Sequence, residues 1–249
     1  FGYTLASVSI MFDLGRWWNF WHVFTPQYAQ PNSVLFEVAL CVTAYVVVMW
    51  IEFAPAFLDQ LGFARVKKYL SKVLFVFIAL GVLLPTMHQS SLGSQLIVFG
   101  YQIHPLWQSG WLLPVEFLMT ALLLGYATVI LETTLSSVGF RRELETPMAG
   151  RVADVMSGLL VAFIALRAVE LVARGAIATA FVADTQALWF WIESACFVAS
   201  AVLLRSKAAR RNAARLFIGA LLLMLGGMIQ RLNCFLVGYM TGDGWSYFP

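Results

Sequence analysis

The sequence predicts an all-α protein that crosses a membrane several times as a polytopic transmembrane helical bundle. Of its 249 residues, 61% are hydrophobic and only 12% are charged, whereas a soluble domain of this size has about 25% charged residues. The mean hydropathy is +0.80. Several apolar runs also approach the ~20 residues that a helix needs to cross a bilayer.

The apolar runs predict seven spans, the first of them cut short. They cover residues 1–12, 33–52, 69–87, 112–134, 152–172, 187–204 and 215–238. The opening FGYTLASVSIMF carries no basic segment or cleavage site, so it is interpreted as the end of a transmembrane helix and not as a signal peptide. Residues 1–249 are expected to form a single integral membrane domain, incomplete at the N-terminus and also at the C-terminus.

The connecting segments alternate in charge, which predicts their orientation. One set of segments holds twelve basic residues, and the other set holds only Arg16 and Arg174. The basic set is Arg65, Lys67, Lys68, Lys72, Arg141, Arg142, Arg151, Arg205, Lys207, Arg210, Arg211 and Arg215. Because positive segments stay inside, this set is expected in the cytoplasm of a bacterium. The HQSS segment (88–91) and the WSYFP segment (245–249) are then expected on the periplasmic side of the inner membrane.

Polar side chains gather near the predicted outer ends of the first three spans. They are Tyr3, Asp13, Arg16, Glu37, His88, Gln89, Ser90 and Ser91. Quinone chemistry needs such a set, because donors must hold two carbonyl oxygens in an apolar cleft and an acid must exchange protons. Glu37 has no basic neighbour one turn away in its own helix, so it is the acid expected to do this. For His88 alone, an interfacial histidine bonded to a backbone carbonyl is the alternative.

Other ionisable residues lie within the spans, where charges are costly and are usually paired or functional. Arg167 and Glu170 are three residues apart and are expected to pair with each other on one helix face. Glu52 and Asp154 are interpreted as carboxylates at cytoplasmic helix ends that extend to water.

The residues that could bind a cofactor other than quinone are few. The three histidines, His22, His88 and His104, are all expected in outer segments or at a helix end. Because a transmembrane b-type haem needs two axial ligands that face each other from helix interiors, the chain is predicted to bind no haem. Single cysteines within apolar runs and dispersed carboxylates predict no iron–sulfur cluster and no metal site. Electrons would then have to come from a partner on the outer face.

Six segments in order along the chain resemble the NrfD/polysulfide-reductase membrane family. They are FDLGRWWNFWH, NSVLFE, EFAPA, LLPTMHQSSLGS, HPLWQS and GDGWSYFP, and they extend from residue 12 to residue 249. HQSSLG together with HPLWQS most resembles the HybB branch, the integral membrane subunits of periplasmic-facing nickel–iron hydrogenases. The family typically has more than seven spans.

This resemblance implies a quinone-reactive subunit without haem. Its implied partners are a ferredoxin-like iron–sulfur subunit and the small and large subunits of a nickel–iron hydrogenase on the outer face. By position in the motifs, Tyr3, Glu37 and His88 are implied as quinone and proton groups. Glu132, in VILET, is implied as the inner end of a proton route from Glu37. The outer cluster supplies the remaining binding groups, Gln89, Ser90, Asp13 and Arg16.

The predicted function is therefore the membrane anchor of a hydrogenase–quinone oxidoreductase, which passes electrons to menaquinone or ubiquinone. One alternative keeps the fold and changes the partner to a molybdopterin or sulfur-cycle oxidoreductase. A second alternative is a seven-helix transporter or receptor. It explains the carboxylates in the spans but not the apolar, charge-free outer segments.

Overall fold

The computed structural model describes residues 2–13, 15–141 and 146–240. Within them, six helices are long and apolar enough to cross a membrane, and a shorter apolar helix precedes them. The predicted all-α membrane bundle is thereby confirmed. The helices are α1 (Gly2–Asp13), α2 (Val34–Gln60), α3 (Ala64–Val98), α4 (Leu113–Gly139), α5 (Thr146–Ala173), α6 (Thr185–Leu203) and α7 (Ala213–Leu232).

The predicted end of the third span is wrong. The hydropathy pattern predicts an end at residue 87, but α3 continues to Val98, so the HQSS segment is helical and does not form a loop. The physical reason lies in the serine hydroxyls, which can bond to carbonyls of the preceding helical turn. Ser90 and Ser91 each donate to the Met87 carbonyl oxygen at 2.9 Å. These polar residues therefore fit inside a continuous helix.

The chain divides into two compact units, residues 1–95 and 96–249. In the first unit, α2 buries Cys41 and Val48 on one face. In the second unit, α7 packs against α4 and α6. The core of the second unit is hydrophobic and includes Leu123, Ile130, Met156, Leu160, Phe163, Phe197, Leu216 and Leu223.

Two glycines of α7 allow neighbouring helices to approach closely. A Cβ added at Gly219 would lie 2.7 Å from Leu204 Cγ, and one added at Gly227 would lie 2.6 Å from Leu124 Cδ2. Small residues at such interfaces let helices pack tightly where water supplies no driving force between them. Close packing of α7 therefore depends on these two positions.

Gly219→Val is expected to destabilise the second unit by about 1–3 kcal/mol, the usual cost of overpacking a core. The measurement is the thermal unfolding temperature of the purified protein in detergent or nanodiscs. Gly158→Val on α5 is the matched control, because a Cβ at Gly158 would meet no atom within 4 Å. Equal unfolding temperatures for the two variants would show that α7 does not pack as described.

Candidate functional site

A hydrogen bond in the first unit joins α2 to α3 through two residues of the predicted cluster. The Ser91 hydroxyl donates to Glu37 Oε1 at 2.8 Å, and it shares its single hydrogen with the Met87 carbonyl oxygen at 2.9 Å. Ser91 is only 5% exposed, whereas Glu37, in the first turn of α2, is exposed. The buried hydroxyl thus orients a carboxylate that is itself exposed.

A second contact brings α1 to the same helices. The side chains of Tyr3 and Gln89 are hydrogen bonded to each other. The Tyr3 ring also packs edge-on against Tyr45 of α2, with ring centroids 4.7 Å apart. The first unit therefore assembles a tyrosine, an amide and an aromatic wall from three different helices.

Tyr45 was missed by the sequence interpretation, although a signal for it existed. Glu37, Cys41 and Tyr45 follow one another at four-residue intervals, which places them on one face of a helix. Cys41 on this face is buried. Helical spacing from Glu37 therefore indicates Tyr45 as the aromatic residue on this face.

His88 lies inside α3 and not at a helix end, so that part of the prediction is wrong. The helix continues for ten residues beyond it to Val98, or about 15 Å at 1.5 Å per residue. His88 is half-buried, and its Nδ1 atom is shielded from solvent. It shares a helix face with Ser91, three residues away. His88, Gln89 and Ser91 therefore present three different polar groups along a single turn of α3.

Four of the predicted site residues are not brought into these contacts. Arg16 is exposed, and Glu132 is exposed on α4 in the second unit. Within the described residues, no hydrogen bond or ion pair joins either of them to another predicted site residue. Ser90 directs its hydroxyl to its own helix. The side chain of Asp13 and the WSYFP segment lie outside the described residues.

Glu52 does not lie at a helix end as predicted, because α2 continues to Gln60. It packs against α3 at Gly81, where an added Cβ would lie 2.5 Å from Glu52 Oε1. Glu52 also borders a cavity of about 410 Å³ between α1 and α2. Thr4, Met49, Trp50 and Phe53 line the rest of this cavity. It is an apolar space with one carboxylate in its wall.

The second unit contains a buried ion pair that differs from the predicted one. Arg167 Nη1 lies 2.8 Å from Glu193 Oε1, on α6, and not against Glu170. Glu170 instead pairs with Arg174, one turn further along α5. A buried guanidinium must be paired with an opposite charge. The Glu193 carboxylate supplies that charge, and it is itself only 1% exposed. The predicted pair Arg167–Glu170 is therefore wrong.

The sequence of this chain is similar to known proteins along almost its whole length. The model of the family described as "Polysulphide reductase, NrfD" matches residues 2–242. The "Probable Ni/Fe-hydrogenase 2 b-type cytochrome subunit" of Escherichia coli (strain K12) is 43% identical over 251 residues, which cover 100% of this chain and 64% of that protein. A protein of Nitratidesulfovibrio vulgaris (strain Hildenborough) is 28% identical over 260 residues, 100% of this chain and 66% of that protein.

A further relative from Nitratidesulfovibrio vulgaris is named "Menaquinone reductase, integral membrane subunit". It is 29% identical over 109 residues, which are 39% of this chain and 25% of that protein. The present chain thus spans about two thirds of the length of the two relatives that it matches along its whole length, 64% and 66%.

The Escherichia coli relative overturns the prediction that the chain binds no haem. That protein is named a b-type cytochrome subunit, a name that implies haem binding. Of the three histidines, His88 alone lies in a candidate membrane span, the helix Ala64–Val98. His22 stacks on Tyr28 with ring centroids 4.2 Å apart, and His104 belongs to the other unit. In the first unit, His88 is thus the histidine placed within a span, as an axial ligand of a transmembrane b-type haem must be.

Proposed function

Because this chain belongs to the NrfD (polysulphide reductase) family of multi-pass membrane proteins, we propose that it binds a quinone in the membrane and reduces it with electrons from a partner. The observation that carries this proposal is the convergence of α1, α2 and α3 in the first unit. There, Tyr3 meets Gln89 and Tyr45, and Glu37 meets Ser91.

The chemistry of these groups suits a quinone ring. Quinone oxygens accept hydrogen bonds, and Tyr3, Gln89 and His88 are all able to donate them. Reduction of a quinone to a quinol consumes two electrons and two protons. Glu37 relays these protons: its exposed carboxylate takes up a proton from water and the resulting acid passes it to the quinone, while the Ser91 hydroxyl orients the side chain. Gln89, Ser90, Asp13 and Arg16 remain the proposed surrounding binding groups.

The proposed electron donor is a nickel–iron hydrogenase that acts through a ferredoxin-like iron–sulfur subunit. Support comes from the Escherichia coli relative, whose name assigns it to Ni/Fe-hydrogenase 2. The name of the menaquinone reductase relative supports a quinone as the acceptor. Menaquinone and ubiquinone both fit the proposal. Co-purification with a nickel–iron large subunit distinguishes this donor from a molybdopterin or sulfur-cycle oxidoreductase.

The charge asymmetry of the connecting segments supports an orientation in the bacterial inner membrane. The basic segments lie in the cytoplasm, and the ends of α1 and α3 face the periplasm. We place the donor on that periplasmic face. Glu132 is proposed as the inner end of a proton route that begins at Glu37.

His88→Ala is expected to lower hydrogen-dependent quinone reduction by about 10-fold or more, because a lost hydrogen bond to a buried polar group costs about 1–3 kcal/mol. Reduction of a soluble dye by the hydrogenase should stay unchanged, since it bypasses the membrane subunit. The matched control is His22→Ala, which removes a histidine of the same unit outside α3. Unchanged quinone reduction in His88→Ala would contradict a role of this residue in quinone binding.

A further inference from the structure

The second unit buries a polar cluster that the quinone proposal does not use. Two carboxylates lie at its centre, Glu116 on α4 and Glu193 on α6, and they are 2% and 1% exposed. Ionisable groups inside a membrane bundle are costly, and they mark proton or ion sites unless they are fully paired. The two carboxylates differ sharply in how well they are paired.

Glu193 is surrounded by donors. Arg167 Nη1 forms an ion pair with Oε1 at 2.8 Å, although no described residue donates a hydrogen bond of regular geometry to that oxygen, while Trp107 Nε1 and Asn233 Nδ2 donate to Oε2 at 2.9 Å and 2.7 Å. One cation and two neutral donors compensate the loss of hydration of a charged carboxylate. A charged carboxylate fits this set of partners.

Glu116 has a much poorer set of partners. Its Oε2 accepts one hydrogen bond, from the Ser109 hydroxyl at 3.0 Å. Its Oε1 is buried and has no hydrogen-bond partner in the part of the chain that the structure describes. An ionised carboxylate with one neutral donor in an apolar bundle is strongly disfavoured, whereas the neutral acid is tolerated. Two carboxylates whose surroundings differ in this way divide into a proton holder and a permanent anion.

Other buried polar atoms of the second unit are available to bind water. Arg167 Nη2, Gln230 Oε1 and Asn233 Oδ1 are all buried without a hydrogen-bond partner among the described residues. Buried polar atoms that lack a partner in the protein are the usual sites of internal water. Asn233 also begins a π-helical turn, Asn233–Val237, a feature common at functional sites.

The charged groups that act on Glu116 come from two helices. Arg167 and Glu170 lie on α5, and Glu193 lies on α6. Because Arg167 is already engaged by Glu193, only its second terminal nitrogen remains to stabilise a Glu116 carboxylate. Transfer of the proton would break the Glu116 O–H bond, form a bond to a water oxygen and leave the new anion facing Arg167.

We propose that Glu116 holds a proton in the folded protein and exchanges it through water bound against Arg167, Gln230 and Asn233. The second unit then contains a proton-binding site of its own, in addition to the quinone groups of the first unit. Its ligand is a proton carried by water. The contrast between Glu116 and Glu193 makes the proposal testable without any assay of quinone reduction.

Infrared spectroscopy of the full-length protein in its native complex tests the protonation state. The spectrum should contain a carboxylic-acid C=O band that moves on exchange into deuterated water and disappears in Glu116→Gln. In Ser109→Ala the band should move to higher frequency, because the carbonyl loses its donor. A Glu116→Gln spectrum that retains every acid band would overturn the proposal, and so would an unmoved band in Ser109→Ala.

Thermal unfolding gives a second and independent test. Glu116→Gln replaces a neutral acid by a neutral amide of the same shape, so the unfolding temperature should change little. Glu193→Gln removes the charge that compensates Arg167, so it should lower the unfolding temperature much more. Equal losses in the two variants would show that both carboxylates are ionised, and the proposal would then be wrong.

Discussion

Replacing Glu37 by glutamine is expected to lower hydrogen-dependent quinone reduction by about 10²- to 10⁴-fold, the contribution of a positioned general acid or base. Glutamine keeps the shape of the side chain and an oxygen that can accept from the Ser91 hydroxyl. It cannot carry a proton. The loss should therefore appear in the rate of quinone reduction with added quinone, while dye reduction by the hydrogenase is retained.

A carboxylate on the same helix provides the control for Glu37→Gln. Asp59 pairs with Lys67 near the exposed end of α2, with Nζ 2.5 Å from Oδ2. Asp59→Asn removes one negative charge from α2 without reaching the candidate site, so quinone reduction should be preserved. A comparable loss in both variants would mean that the net charge of α2, and not proton transfer by Glu37, controls the rate.

Replacing Arg167 by methionine is expected to destabilise the second unit by about 3–5 kcal/mol, the usual cost of removing one partner from a buried ion pair. Methionine fills a similar volume but leaves the Glu193 carboxylate with Trp107 and Asn233 as its donors among the described residues. Contact of the guanidinium with Phe190, whose ring centroid lies 5.6 Å from Arg167 Cζ, is also lost. Thermal or denaturant unfolding in lipid nanodiscs measures the effect.

Two controls for Arg167→Met distinguish the cost of an unpaired buried charge from the cost of losing any ion pair. Asp154→Asn breaks the pair that Asp154 forms with Arg210, in which the aspartate side chain is 49% exposed. Arg210 is only 12% exposed, but it keeps its hydrogen bonds to the Leu204 and Arg205 carbonyl oxygens, and Asp154 is open to solvent. This variant should therefore lose much less stability than Arg167→Met. The double variant Arg167→Met, Glu193→Leu should recover much of the stability that the single variant loses. A single variant as stable as the parent would contradict a buried charge pair.

Much of the fold was predictable because membrane helices are specified locally. Runs of apolar residues identify spans, and each predicted span matches a helix in the same order. The helix ends were harder to predict, as α3 shows. A run of His, Gln and Ser looks like an exit from the membrane, yet its serines bond within their own helix. These bonds cannot be recognised from hydropathy. The apolar pattern therefore ends before the helix does.

The candidate site was predictable in part and for a different reason. Sequence motifs that resemble the NrfD family indicated Tyr3, Glu37 and His88, whose quinone and proton roles remain predictions. Composition alone does not single out these three among the polar residues of the chain. Tyr45 belongs to no motif that was recognised, so it was found only from its packing against Tyr3.

By itself, the sequence determined that this chain is a multi-pass helical membrane protein of a particular family. Composition and motifs can be recognised without knowing how the helices pack. Only the tertiary structure decided which polar groups are partners. Glu37 bonds to Ser91, 54 residues away, and Arg167 pairs with Glu193 and not with its neighbour Glu170. The reason is physical: inside an apolar bundle a buried cation pairs with the carboxylate that helix packing brings beside it, and helix packing joins residues that are distant in sequence.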